Sequence, residues 1–185
     1  MANCENGIVK NITSNCSTQQ IGGIETTVYI FNRTDIDTIT YSGDSLVTDL
    51  TLTSGTTAFT IMGVKKSLNA GSTRVVAEDM ADRFTHTFDF KGFEFDSASV
   101  ENLDAIKDVV CVVERKAKNV DDGTFVIYGL GTGLYVATDE QTSNEANGTR
   151  ALSLATMPGW EEKNSQNNLL DTDYATTKAL LEGLL

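Results

Sequence analysis

Short runs of Val, Ile, Thr and Phe, each cut off by a cluster of Gly, Asn, Asp or Ser, fill most of this sequence. β-Branched and aromatic residues suit a pleated, half-buried surface better than a helix interior. The interrupting clusters are turn formers: Gly22-Gly23, Ser42-Gly43-Asp44, Ser54-Gly55, Asn69-Ala70-Gly71, Asp121-Asp122-Gly123 and Asn147-Gly148. Runs divided in this way predict a mainly β fold, an antiparallel β-sandwich or barrel. Strands are expected at about 26–32, 36–41, 46–53, 57–64, 73–79, 83–91, 109–116, 124–130, 133–139 and 149–157. Within 83–91, Phe84, His86, Phe88 and Phe90 share one side; Thr85, Thr87, Asp89 and Lys91 share the other. After Gly92 the phase flips to Phe93 and Phe95, which predicts a β-bulge. Residues 109–113 are apolar at every position, the pattern of a central strand covered on both faces.

One internal flanking helix is expected at about 97–108. Val100, Leu103 and Ile106 fall on one stripe, and Asp96, Ser97 or Ser99 can cap its start. A second helix is expected from Asp173 to Leu184, capped by Thr172 or Asp173. It follows the polar stretch 161–168, which reads as a linker. The expected organisation is an N-terminal arm (1–20), a β domain (21–158) and a C-terminal linker and arm (159–185). The apolar arm is expected to be buried by a partner or docked on its own domain. Its removal is expected to leave the core folded.

A chain of 185 residues fits one domain. Its 26 acids against 14 bases give −12, which argues against binding nucleic acid through phosphate contacts. No run reaches the length of a membrane span, and the first residues do not read as a signal peptide. Three cysteines form no disulfide framework; Cys4 and Cys16 can pair or stay reduced, and Cys111 reads as a small buried residue.

The catalytic inventory is thin. Gly129, Gly131 and Gly133 suggest a phosphate loop, but the following residues continue as a strand, and a β-turn or bulge is the better reading. His86 is the only histidine and sits among phenylalanines, as a core or interface residue does. Acids pair at Asp35/Asp37, Glu78/Asp79/Asp82, Asp121/Asp122 and Asp139/Glu140, where solvated turns are the default over glycoside hydrolysis. The sequons at Asn11, Asn15, Asn32 and Asn147 are chance products of an Asn- and Thr-rich chain. No catalytic, cofactor-binding or metal-binding residue is expected. This profile fits a structural protein better than an enzyme.

The order of elements carries a resemblance. Cys16 precedes Gly22-Gly23-Ile24 and the run Thr27–Asn32; a strand with His86 follows, then the 96–108 helix and the run Val109–Arg115. Next come the Gly123–Leu134 hairpin, the Gly148 turn and the closing strand Ala151–Met157. Over residues 16–160 the chain resembles the tail tube (major tail) proteins and tail hub ring proteins of bacteriophages. It is most similar to tail structural proteins of Bacteroidetes-infecting (crAss-like) phages. The resemblance implies a virion subunit, made in the host bacterial cytoplasm. It implies a homo-oligomeric ring of six or twelve copies around the DNA-ejection channel, with adjacent tail, connector or portal proteins as partners. It implies no cofactor, catalyst or membrane. Viral DNA would pass without tight binding, repelled by wall-facing acids. Candidate interface residues are Lys65, Lys66, Arg74, Trp160, Leu180 and Leu181; candidate lumen-facing acids are Asp121, Asp122, Asp139 and Glu140. A capsid decoration or collar protein, or a carbohydrate-binding adhesin-like module, are the alternatives.

Overall fold

The computed structural model describes residues 21–64, 66–78, 80–94, 96–118, 121–144 and 148–185, with Asp121 described by its backbone alone. The expected N-terminal arm, with Cys4, Cys16, Asn11 and Asn15, lies outside the described residues, as do Lys65, Asp79, Phe95 and Asn147.

The chain is mainly β, a two-sheet sandwich. In order come β1 (Ile24–Asn32), β2 (Ile36–Tyr41), β3 (Leu46–Leu52), β4 (Phe59–Met62), β5 (Asn69–Val75) and β6 (Arg83–Gly92). Then follow α1 (Ser97–Asp104), β7 (Val109–Arg115), β8 (Phe125–Tyr128), β9 (Tyr135–Gln141), β10 (Arg150–Ala155), β11 (Asn167–Leu169) and α2 (Tyr174–Gly183). The large sheet has the order β2-β3-β11-β8-β7-β1-β4, and the small sheet β5-β6-β10-β9.

All ten expected strands form, β2 with the bounds expected and the others shifted. The largest shift is β5, which starts at Asn69 instead of 73. The cluster Asn69-Ala70-Gly71 was expected as a turn, but pairing with β6 sets Ala70 opposite the buried Phe88. The turn falls earlier, where Ser67 N–H donates to Val64 O at 3.0 Å. Gly92 ends β6 in register with Arg150, so the expected bulge is absent at that point. A Cβ on Gly92 would stand 3.3 Å from Leu103 Cδ1, because α1 closes over this end of the sandwich.

β7 is central and buried on both faces, as its apolar run requires. Val109, Cys111 and Val113 join Val28, Ile30, Phe88, Phe90, Leu152 and Leu154 between the sheets. Val110 and Val112 join Phe31, Val47, Leu50, Phe125 and Ile127 on the far face, where α2 lays Leu181 and Leu184 against them. The architecture is therefore helix on sheet on sheet.

The C-terminal residues depart most from expectation. Residues 159–185 are not a linker with a loose arm. β11 lies inside the large sheet, antiparallel to β8 and parallel to β3, and joins those two strands. Leu169 and Leu181 are fully buried. Asn and Gln around β11 disguise it in the sequence, and their polar groups are consumed locally. Asn164 Nδ2 donates to Asn167 Oδ1 at 3.0 Å, and Gln166 Nε2 to Asn168 Oδ1 at 2.9 Å.

α1 is a turn shorter than expected, with Asp96 as its cap accepting from Ser99 N–H at 3.3 Å. α2 follows its expected span, with Asp173 accepting from Thr176 N–H at 2.8 Å.

Candidate assembly surfaces

Residues 129–133 turn sharply, with Gly129 and Gly133 at φ +76° and +84° and a 3.0 Å bond from Gly133 N–H to Gly129 O. The backbone N–H groups of Gly131 and Thr132 converge on Glu162 Oε1 at 2.9 and 2.8 Å. Successive N–H groups of a turn form a concave site for an anion, and here the chain's own carboxylate fills it. A Cβ on Gly131 would meet Glu162 Oε2 at 2.7 Å, and one on Gly133 would meet Asp108 Oδ1. Gly131 and Gly133 thus admit two carboxylates, Glu162 and Asp108. Asp108 is in turn clamped by Arg33 through three bonds of 2.7–3.1 Å. No room remains for a phosphate.

His86 is buried beside this turn. Its Nδ1 accepts from Gly129 N–H at 3.1 Å, and its Nε2 lies 2.9 Å from Asn164 O. A carbonyl only accepts, so Nε2 carries the proton and the ring is neutral. Burial pushes the imidazole pKa below its ordinary value, against the opposing pull of Asn164 O and Glu162. His86 and Glu162 together fasten the segment after β10 to the sandwich. Neither faces an open cleft, and the sequence carried no signal that they would meet.

Glu114 is the corresponding anchor for α2. It is buried, and it receives Tyr174 Oη–H at 2.8 Å, Lys118 Nζ at 2.9 Å and Lys178 Nζ at 3.3 Å. Burial raises its pKa; the hydrogen bonds from Lys118, Tyr174 and Lys178 outweigh that and hold it below the usual carboxylate value. Tyr174 also stacks on Phe125 at 5.5 Å. Cys111 is a core thiol whose pKa burial drives up, which suits an inert packing residue.

The residues expected at interfaces fall in different settings. Lys66 is exposed. Arg74 is exposed on β5, with Asp82 at 3.7 Å and the Phe84 ring beneath it at 5.3 Å. Trp160 is 55% exposed, edge-on to Tyr135 at 6.3 Å. Leu180 is half-buried. Leu181 is fully buried in its own domain, which removes it from any interface; docking on the large sheet satisfies its side chain.

The four expected lumen acids do not gather. Asp121 and Asp122 belong to the 3-10 turn between β7 and β8, in the large sheet. Asp139 and Glu140 lie on β9 but on opposite faces: Asp139 stands opposite buried Leu152, Glu140 opposite Ala151. Asp139 is neutralised by Arg150, whose Nε donates to Oδ1 at 2.7 Å, and this bond lowers its pKa. In the β5–β6 turn Glu78 is exposed, while Asp82 accepts from Ala77 N–H at 3.3 Å and pairs with Arg74. Among the described residues no group of three His, Cys, Asp or Glu could hold a metal ion. Among them, too, no helix is long and apolar enough to cross a membrane.

Two surface features stand out. Among the described residues, the small sheet ends in two open strands of seven residues each, β5 and β9. At one end of that sheet Val75, Val76, Met80, Val136, Met157 and Trp160 are all exposed. At the other end a groove of about 710 Å³ runs between β4 and α1. Comparison with protein-family models, with curated proteins and with solved structures finds no match.

Proposed function

We propose that the chain is a structural subunit of a phage tail that closes into a homo-oligomeric ring around the DNA channel. The observation that carries this reading is the pair of seven-residue edges on one sheet that are open among the described residues. A free edge is a template for another strand, and pairing unlike edges of identical copies generates a ring when the rotation closes. The likeness to tail tube and hub proteins noted in the sequence supplies the tail assignment, with adjacent tail, connector or portal proteins as neighbours.

On this reading the outer face of the small sheet is the channel wall. Cross-strand pairing puts Arg83, Thr85, Thr87, Asp89 and Lys91 there, with Ser153, Thr138 and Glu140. Two cations against two acids on a hydroxyl-rich face give phosphates little to hold. The expectation of an acidic wall narrows to Glu140 alone among the four acids. DNA passes because the wall is balanced, and the bulk of the −12 charge lies elsewhere on the subunit.

Light scattering and negative-stain imaging of the purified chain test the ring. Closed rings are expected, and Arg74→Glu on the β5 edge is expected to weaken them. A strict monomer at high concentration with its ring neighbours present overturns the reading. The exposed Trp160–Tyr135 pair favours a second reading, an adhesin-like module that stacks on sugar rings. Glycan binding abolished by Trp160→Ala would establish it.

A further inference from the structure

A pocket of about 240 Å³ opens beside the starts of β1 and β5. Residues 21–24 and 68–70 line it, together with Arg115, Ala117 and Tyr128. The chain is brought there by Gly23, at φ +106°, whose carbonyl accepts from Lys116 N–H at 3.1 Å past the end of β7. Arg115 continues the side of β7 that carries Cys111 and Val113, and Tyr128 stands opposite Cys111. Both side chains therefore face the gap between the sheets.

Arg115 is half-buried, and its Nη2 donates to Gln166 Oε1 at 2.5 Å. Among the described residues no carboxylate pairs with this guanidinium. Arg33, Arg74 and Arg150 each hold a carboxylate, and Arg83 is exposed. Withdrawing a charge from water without a counter-ion is costly. The acids of the neighbouring strands are turned away and occupied: Glu25 and Glu114 hold Lys118, while Asp89 accepts from Asn69 and Ser153 on the other side of β6. Lys116, exposed beside Gly23, adds positive charge at the rim. Tyr128 is 4% exposed. Its hydroxyl has no partner among the described residues, and no buried side-chain oxygen among them lacks one. The hydroxyl is therefore the part of Tyr128 left open to the pocket.

A guanidinium fork and a phenol hydroxyl in one pocket suit a carboxylate, which accepts two parallel N–H bonds and a further O–H bond. Ile24, Leu68 and Ala70, packed against the core, make the rest of the lining apolar. The volume lies below the ~300–1,000 Å³ of drug-sized sites, so the molecule must be small. We propose that this pocket binds a small organic acid, with its carboxylate on Arg115 and Tyr128 Oη and a short apolar body against Ile24, Leu68 and Ala70. The assignment does not rest on the ring and holds for a single copy as for an assembly.

Ligand-detected NMR of benzoate titrated against the full chain tests it. Saturable binding with a Kd on the order of 1 mM is expected of so few atoms. Benzamide, which has the same shape without the charge, and inorganic phosphate, which has charge without an apolar body, are each expected to bind at least ~10-fold more weakly. Arg115→Met is expected to abolish saturation. Tyr128→Phe is the sharper variant, because the hydroxyl it removes bonds to no other described residue. It is expected to weaken benzoate by about 10-fold and to leave the urea midpoint unchanged. Absence of saturable benzoate binding, equal binding of benzamide or phosphate, or unchanged affinity in Tyr128→Phe overturns the proposal. A Tyr128→Phe chain that loses stability assigns the hydroxyl a structural role and overturns it as well.

Discussion

β7 and β11 lie in the same sheet with only β8 between them, and both are largely buried, yet they are held by opposite means. β7 is apolar at every position from Val109 to Val113, so each face finds a core of its own: the small sheet on one side, α2 and its neighbours on the other. β11 contributes one apolar anchor, Leu169, and two asparagines whose side chains bond to polar neighbours. β7 is placed by hydrophobic burial, which is non-directional and spread over many contacts. β11 is placed by specific hydrogen bonds and by the clamps ahead of it, Glu162 in the glycine turn and Asn164 O on His86. The difference teaches that a strand can be central without looking central, provided every polar group it carries is satisfied. Among the described residues no buried side-chain N or O lacks a partner.

The strongest test of that contrast is removal of the inserted strand. A chain ending at residue 160 splits the large sheet between β3 and β8 and uncovers the α2 face. Loss of a cooperative urea transition is expected, in place of the folded core that the sequence suggested; a normal transition would make β11 an accessory. Next in size, Leu169→Ala and Leu181→Ala should each cost about 2–5 kcal/mol in urea unfolding, as buried leucines do. If Leu169→Ala costs clearly less than Leu181→Ala, β11 relies on its polar bonds more than on its anchor. Glu162→Ala strands the N–H groups of Gly131 and Thr132 and should cost about 1–3 kcal/mol; Glu162→Gln, which keeps an acceptor, should cost less.

Acid should separate the two strands as well. The folded-state pKa of His86 lies below its ordinary 6.5, so the neutral ring's contribution is complete above that value. It is lost as pH falls through the lowered pKa, when Nδ1 gains a proton and can no longer accept from Gly129 N–H. Glu114 also has a lowered pKa, so its contribution is complete above 4.5 and disappears at lower pH. Amide exchange near β11 and Asn164 should therefore rise first on acidification, then α2, with β7 last. A simultaneous rise at all three sites would mean that they open as one unit. Trp160→Ala marks the small end of the scale: an exposed residue outside both cores should change stability by no more than about 0.5 kcal/mol.

How much was legible follows from the same contrast. The run 109–113 announced a two-faced strand, and the alternation of Phe84, His86, Phe88 and Phe90 announced which side of β6 would be buried. Both signals lie within a few neighbouring residues. The β5 start was misjudged because Asn69 and Gly71 have turn propensity, and only the opposite strand overrules it. Leu181 looked like a sticky arm because the surface it covers is assembled from β1, β3, β7 and β8. The four acids looked equivalent in the sequence, whereas Arg150 neutralises Asp139 and the pleat parts it from Glu140.

The sequence by itself determined the class of fold, the number and approximate places of its early strands, a short choice of cap residues for each helix and the apolar setting of His86. These rest on local propensity, on the period of two along a strand and on side chains reaching three residues ahead. Only the tertiary structure decided that the last residues fill the large sheet, that a carboxylate occupies the glycine turn, and which strands are left as edges. Those outcomes depend on groups far apart in the chain that meet by closure of the whole sandwich, and no local pattern encodes a partner that distant.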